Sequence, residues 1–202
     1  MLTCASFFAG VGGIDLGFKS FCNTIYANEF DPNAAKTFEK NFSITVDQRD
    51  ICTISEKELP DFDILLGGFP CQAFSVAGYR EGFNDKKGRG NLFFELARII
   101  KYKKPRVVFL ENVKNLVGHD HGKTFTIILE TLQELGYHVK YQVLNAMNYG
   151  NVPQNRERIY IVAFKKKSEF NRFTFPDPKR LTKTIKNVIE HEESDPSLFY
   201  TA

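Results

Sequence analysis

Three short stretches hold side chains whose types and spacing suit covalent or electrostatic chemistry. They are "GGFPCQAFS" (67–75), "ENV" (111–113) and "QNRER" (154–158). In the first, Cys71 follows Pro70 on a turn shaped by Gly67 and Gly68. A cysteine is by default a small buried hydrophobe, but a thiolate on a tight turn at a strand end can attack an electrophilic carbon. A zinc site is the weaker alternative. Cys4, Cys22, Cys52 and Cys71 form no C-x-x-C pair, and the four histidines are scattered. Cys4, Cys22 and Cys52 read as core fillers. Glu111 ends an apolar strand, where a protonated carboxyl can donate to a ring nitrogen; a helix cap or a salt-bridged acid is the plainer reading. Arg156 and Arg158 alternate with Glu157, so both can face one side of a strand. There they can hold a phosphate or steady Glu111 and a thiolate, or remain solvated.

A second group of residues suits a cofactor. "FFAGVGG" (7–13) is a glycine turn between a strand and a helix, where the backbone can approach a ligand. Glu29 ends the next strand, the position from which an acid accepts hydrogen bonds from a ribose. Asp50 lies near the strand after that. The turn lacks the full G-x-G-x-x-G spacing, and no basic residue is placed for a pyrophosphate. S-adenosylmethionine therefore fits better than a dinucleotide. The segment "AGYREGFNDKKGRGNLF", directly after Cys71, is glycine-rich and charged, with Arg80, Lys86, Lys87 and Arg89 against Glu81 and Asp85. Such a loop inside a compact domain often acts as a lid.

These residues must be positioned by an alternating pattern. "TCASFFA" reads as a buried strand, "GVGGIDLGF" as a turn into a helix, "NTIYANEF" as a strand, and "DPNAAKTFEKNF" as a helix capped by Asp31 with Pro32 in its first turn. "FDILLGG" is a strand and "LFFELARIIKY" a helix. "PRVVFLENV" is a strand, "KTFTIILETLQELG" a helix stopped by Gly136, and "YHVKYQVLNA" and "RIYIVAF" are the last strands. The alternation predicts an α/β fold: a mainly parallel, doubly wound sheet with helices on both faces. Gly10, Glu29, Gly67 and Glu111 would then crowd the rim at the carboxyl ends of the strands. After Lys167 the pattern fails. Residues 1–167 read as a catalytic and cofactor-binding domain, and 168–202 as a linker or the start of a further region, with one weak helical stretch at 184–190.

The bulk properties set wider limits. A chain of 202 residues with 43% hydrophobic content supports one α/β domain with a short appendage. A net charge of +3 is compatible with nucleic acid without demanding it. The N-terminus does not read as a signal peptide, and no run approaches the roughly 20 apolar residues of a membrane span. A cytoplasmic location with reduced thiols is expected.

Taken in order, "FFAGVGG", "NEFD", "GGFPCQAFS", "KPRVVFLENVKN", "LNAMNYGNVPQNRERIYIVAF" and "FPDP" resemble the blocks of the DNA (cytosine-5)-methyltransferases, most closely the bacterial restriction-modification enzymes of the HhaI type. The resemblance runs from Phe7 to about Phe164. It implies a Rossmann-like methyltransferase fold, S-adenosylmethionine as cofactor, and double-stranded DNA with a flipped cytosine as substrate. Cys71 would attack carbon 6 of the base, and Glu111 would hold ring nitrogen 3 and the exocyclic amine. Arg156 and Arg158 would support the charged site. Phe8, Gly10, Gly12, Glu29, Phe30, Asp50, Ile51, Pro70 and Leu92 would surround the cofactor. The loop from Gly78 to Gly90 would close over the DNA. Complete members continue into a target-recognition region and a returning helix, for which no match is found here. The resemblance thus leaves open a split enzyme completed by a second chain, a truncated gene or a partial sequence, each with apolar surface left uncovered. It also leaves two other readings: a cofactor-binding remnant, and a tRNA cytosine methyltransferase, whose motif resembles Pro-Pro-Cys-Gln where this chain has Phe69 before Pro70.

Overall fold

The computed structural model describes residues 1–70 and 92–188. Six strands form one mixed sheet. They are β1 (Leu2–Phe7), β2 (Cys22–Asn28), β3 (Ile64–Gly67), β4 (Val107–Val113), β5 (His138–Asn145) and β6 (Glu157–Phe164), in the spatial order β2-β1-β3-β4-β6-β5. β1 pairs in parallel with β2 and β3, β3 pairs in parallel with β4, and β6 runs antiparallel to β4. The mainly parallel α/β sheet expected from the alternation is present.

The chain divides into two compact units, residues 1–143 with 158–175, and 144–157 with 176–202. Most of the site-forming residues fall in the first unit. Its core is built on the central strands: Ala5, Phe7, Leu65, Val108, Leu110 and Ile161 are buried. β3, buried at all of its positions, reads as the continuous apolar run expected of a strand covered on both faces.

The helices follow their sequence signals. Asp31 caps α2 (Pro32–Phe42), accepting from the Asn33 and Ala34 N–H groups at 2.8 and 2.9 Å. α1 (Gly13–Phe18), α3 (Leu92–Lys103) and α4 (Lys123–Glu134) also stand where helices are expected, and Gly136 follows α4 with φ +82°. α5 (Ala146–Tyr149) is a single turn in the second unit. Beyond Lys167, where the pattern fails, the chain forms α6 (Lys167–Arg172). Glu169 on this helix meets the Arg106 guanidinium at 2.7 Å, so an ion pair holds a segment that hydrophobic periodicity does not announce. Of the expected stretch at 184–190, the described part forms a 3-10 turn, Ile185–Asn187. Among the described residues no helix is long and apolar enough to cross a membrane.

Two buried features fix the start of the fold. The Asp15 carboxylate, 1% exposed on α1, accepts from Ser6 Oγ on β1 at 2.8 Å and Thr24 Oγ1 on β2 at 3.0 Å. Burial pushes its pKa up, against the lowering effect of these hydroxyl bonds. The second feature corrects an expectation. Cys4 and Cys22 are not separate reduced thiols but are joined in a disulfide across β1 and β2. The parallel register sets Leu2 opposite Cys22 and Cys4 opposite Thr24, which brings the two Cα atoms to 6.2 Å, within bridging range.

Gly12 is also constrained by packing. Its φ is +91°, and a Cβ there would lie 2.2 Å from Cε2 of Phe42, a ring stacked on Phe38 at 4.5 Å. Gly12→Ala is expected to destabilise the fold by roughly 3 kcal/mol, combining left-handed strain with overpacking. Denaturant unfolding measures this; a loss below about 1 kcal/mol would mean that the Phe42 ring swings aside freely.

Candidate functional site

The strand order places a topological switch at β1 and β3. β2 lies on one side of β1, while β3 and β4 continue on the other. In open α/β sheets ligands bind in the crevice at the carboxyl ends of such strands. The register makes those ends level, with Phe7 opposite both Asn28 and Gly67, and Gly67 opposite Leu110. Each strand therefore delivers its next residues (Phe8, Glu29, Gly68 and Glu111) to the same rim.

At the β1 end the chain turns sharply. Phe8 has φ +53° and Gly10 φ +55°. A positive φ is a genuine outlier for an aromatic residue, of the kind found where a backbone is shaped for a ligand. A Cβ on Gly10 would meet nothing within 4 Å, so the turn borders open space. The Glu29 carboxylate accepts from Gly10 N–H and from Asp31 N–H, both at 2.8 Å. These two bonds hold the acid against the glycine turn and leave lone pairs for further donors. The Phe30 ring beside it is 72% exposed.

Asp50 reaches this rim through a short strand-like contact. Asn28 bridges Asp47, and its side-chain amide donates to the carbonyls of Asp47 and Arg49 at 2.8 and 2.9 Å. Asp50 then caps a 3-10 turn, Ile51–Thr53, by accepting from Cys52 N–H at 2.9 Å. Asp50 is exposed and Ile51 is buried. Neither Asn28 nor Arg49 stands out in the sequence, because their part is to place the backbone of their neighbours.

The β3 and β4 ends are joined by polar contacts. Arg158 Nε on β6 meets Glu111 Oε1 at 2.9 Å, with the side chains 20% and 21% exposed. A Cβ on Gly68 would lie 3.7 Å from Glu111 Oε2 and 3.7 Å from the Phe8 carbonyl oxygen. Gly68 thus fills the space between the glycine turn and the Glu111 carboxylate. Asn112 is 3% exposed, and its amide donates to the Phe69 carbonyl at 2.8 Å. That bond explains why an asparagine follows Glu111: it ties the end of β4 to the backbone that leads through exposed Pro70 to Cys71.

Cys71 itself, and the loop from Gly78 to Gly90, lie outside the described residues. Leu92, half-buried, opens α3. Arg158 meets Glu111 as the alternating pattern suggests, whereas Arg156 is exposed and belongs to the second unit. Cys52 remains a thiol. Burial first, and then the neighbouring Asp50, push its pKa up to about 11, which leaves little thiolate at neutral pH. Among the described residues no group of three or more His, Cys, Asp or Glu side chains could hold a metal ion.

The chain as a whole is similar to known proteins. A family model described as C-5 cytosine-specific DNA methylase matches residues 2–201. The Type II methyltransferase M.Bsp6I of Bacillus sp. (strain RFL6) is 56% identical over 204 residues, covering 100% of this chain and 64% of that protein. M.SsoII of Shigella sonnei is 51% identical, covering 91% of this chain and 48% of its own length. M.HhaI of Haemophilus parahaemolyticus is 45% identical, covering 90% and 55%. The chain thus spans between about half and two thirds of the length of these curated relatives. Among solved structures, DNMT2 of Spodoptera frugiperda superposes with a TM-score of 0.73 at 21% identity, covering 96% of this chain and 61% of that one. A likeness at that identity speaks for the fold.

Proposed function

The chain belongs to the C-5 cytosine-specific DNA methylase family, and on that premise we propose that it transfers a methyl group to carbon 5 of cytosine in double-stranded DNA, as the modification enzyme of a restriction-modification system. The observation that carries the reading is the Glu111–Arg158 pair at the end of β4, beside Gly68 and the strained Phe8–Gly10 turn. The open space at Gly10, the clamped Glu29 carboxylate, the exposed Phe30 ring and the exposed Asp50 carboxylate suit the adenosine and ribose of S-adenosylmethionine. Phe8, Gly10, Gly12, Glu29, Phe30, Asp50, Ile51, Pro70 and Leu92 are assigned to hold it, Gly12 by shaping the turn. When bound, that group supplies an electrophilic methyl.

The chain's own residues then make carbon 5 a nucleophile. The target atom is out of reach in a duplex, so the cytosine must be flipped out of the stack. The Cys71 thiolate forms a carbon–sulfur bond at carbon 6, and the ring electron pair moves to carbon 5. Glu111 accepts from the exocyclic amine and, acting as the protonated acid, donates to ring nitrogen 3, which offsets the negative charge that the addition places on the ring, and Arg158 orients Glu111. Arg156 is assigned to the same charged environment. Carbon 5 takes the methyl as the methyl–sulfonium bond breaks, its electron pair staying on the sulfur of S-adenosylhomocysteine; carbon 5 then gives up its proton to water, that C–H pair restores the ring double bond, and Cys71 departs with the carbon–sulfur electron pair. The segment 168–202 is assigned as a linker or the start of a target-recognition region.

The test is transfer of tritiated methyl from S-adenosylmethionine into mixed-sequence duplex DNA, followed by nucleoside analysis. Label in 5-methylcytosine is the expected result. Label in tRNA but not in DNA would replace the substrate, and cofactor binding without any transfer would leave a binding remnant.

A further inference from the structure

We propose that Arg98 is a positioning residue for the cofactor, holding the Asp50–Ile54 turn in its ligand-receiving conformation from the far side of the site. The inference rests on the assignment of Asp50 and Ile51 to S-adenosylmethionine. Arg98 lies on α3, the helix opened by Leu92. Its planar guanidinium is used on every nitrogen. Nε donates to Glu95 Oε2 at 2.9 Å, and Nη1 meets Glu56 Oε2. Nη2 donates to the carbonyls of Ile51 and Ile54 at 3.2 and 2.9 Å and lies 2.8 Å from Glu95 Oε2.

The two carbonyl bonds reach both ends of a turn that also closes on itself. Thr53 N–H donates to the Asp50 carbonyl at 2.8 Å, and Ile54 N–H donates to the Ile51 carbonyl at 3.2 Å. The Ile51 and Ile54 side chains are 3% and 1% exposed, so the turn is anchored on its apolar side as well. The carboxylates of Glu95 and Glu56 orient the fork, Glu95 being 9% exposed on the same helix. A surface ion pair of ordinary kind engages one carboxylate. Here one cation engages two carboxylates and two backbone carbonyls, a task that needs the rigid planar donor set of arginine rather than a point charge. The turn so held presents Asp50, while α3 carries Leu92 at its start, so one side chain links two stretches assigned to the cofactor.

The test compares S-adenosylhomocysteine binding by calorimetry in the full chain and in Arg98→Lys and Arg98→Ala, with unfolding measured alongside. Both variants are expected to raise Kd by about tenfold or more, the loss of a charge-assisted hydrogen bond. Under saturating cofactor the rate of transfer to DNA and the KM for DNA should stay near wild type. A merely structural role would lower the unfolding midpoint without this split. Wild-type affinity in both variants, or in Arg98→Lys alone, would overturn the inference while leaving the cofactor assignment standing. Absence of binding by the wild-type chain would overturn the assignment, and the inference with it. Hydrogen exchange on the wild-type protein needs no variant: the amides of Cys52, Thr53 and Ile54 are expected to gain protection when S-adenosylhomocysteine binds, and unchanged exchange there would overturn the proposal.

Discussion

Replacing Cys71 by alanine is expected to reduce methyl transfer by about four orders of magnitude or more, the scale on which loss of a covalent nucleophile acts. Cofactor affinity should change by less than about twofold, because, apart from Pro70, the residues assigned to the cofactor come from other stretches of the chain. No other described cysteine can take over. Cys4 and Cys22 are buried and bonded to each other, and the Cys52 thiol is pushed up to about 11. Tritium transfer into DNA measures the rate, and calorimetry measures the affinity. Transfer retained in Cys71→Ala would remove Cys71 from the mechanism. Loss of cofactor binding alongside transfer would instead give Cys71 a part in building the pocket.

The second large effect is expected at Glu111. Glu111→Gln keeps the size of the side chain and leaves the Asn112–Phe69 bond in place, so the backbone approach to Cys71 is preserved. It removes the carboxyl facing Arg158, whose side chain is only 20% exposed, and with it the acidic proton assigned to ring nitrogen 3. Formation of a denaturant-stable protein–DNA adduct is expected to slow by about 10²- to 10³-fold, as when a positioned acid–base or electrostatic group is lost. The cost in folding stability should be smaller, on the order of 1 kcal/mol, because the ion pair is partly solvated. Adduct formation at the wild-type rate would refute the role of Glu111. A large loss of stability with normal adduct formation would make the pair structural.

The two experiments separate addition of the thiolate from stabilisation of the ring. The first removes the atom that forms the bond; the second leaves that atom and removes its electrostatic support. An Arg158→Lys variant joins them. A lysine keeps a charge near Glu111 but not the fixed direction of the Nε contact, so a partial loss in adduct formation is the expected result.

Much of the site was legible because its chemistry and its local geometry are written in contiguous residues. "FFAGVGG" announces a turn, "NEFD" an acid followed by a capped helix, and "ENV" an acid at a strand end. The structure bears out those local readings: Glu29 sits on Gly10 N–H, Asp31 caps α2, and Glu111 stands at the rim. Two motifs also carry structural content that their pattern does not show. Gly12 belongs to a ligand turn by pattern, yet its missing side chain makes room for Phe42, about thirty residues away in a different helix. Arg156 and Arg158 look equivalent in alternation, yet only Arg158 falls in the unit that carries Glu111.

The helix at Lys167–Arg172 and the Cys4–Cys22 bond escaped for one physical reason. Each depends on a partner distant in sequence, Arg106 for the helix and a neighbouring parallel strand for the bond. Arg98 escaped in the same way, since its carbonyl partners lie more than forty residues upstream. Residue type and local period determine which elements form, which side chains can react, and which family the chain resembles. The order β2-β1-β3-β4-β6-β5, and with it the switch between β1 and β3 that gathers Phe8, Glu29, Gly68 and Glu111, arises only when the strands pair. Strand pairing is chosen by burial on both faces of the whole sheet, a long-range balance that no single segment contains.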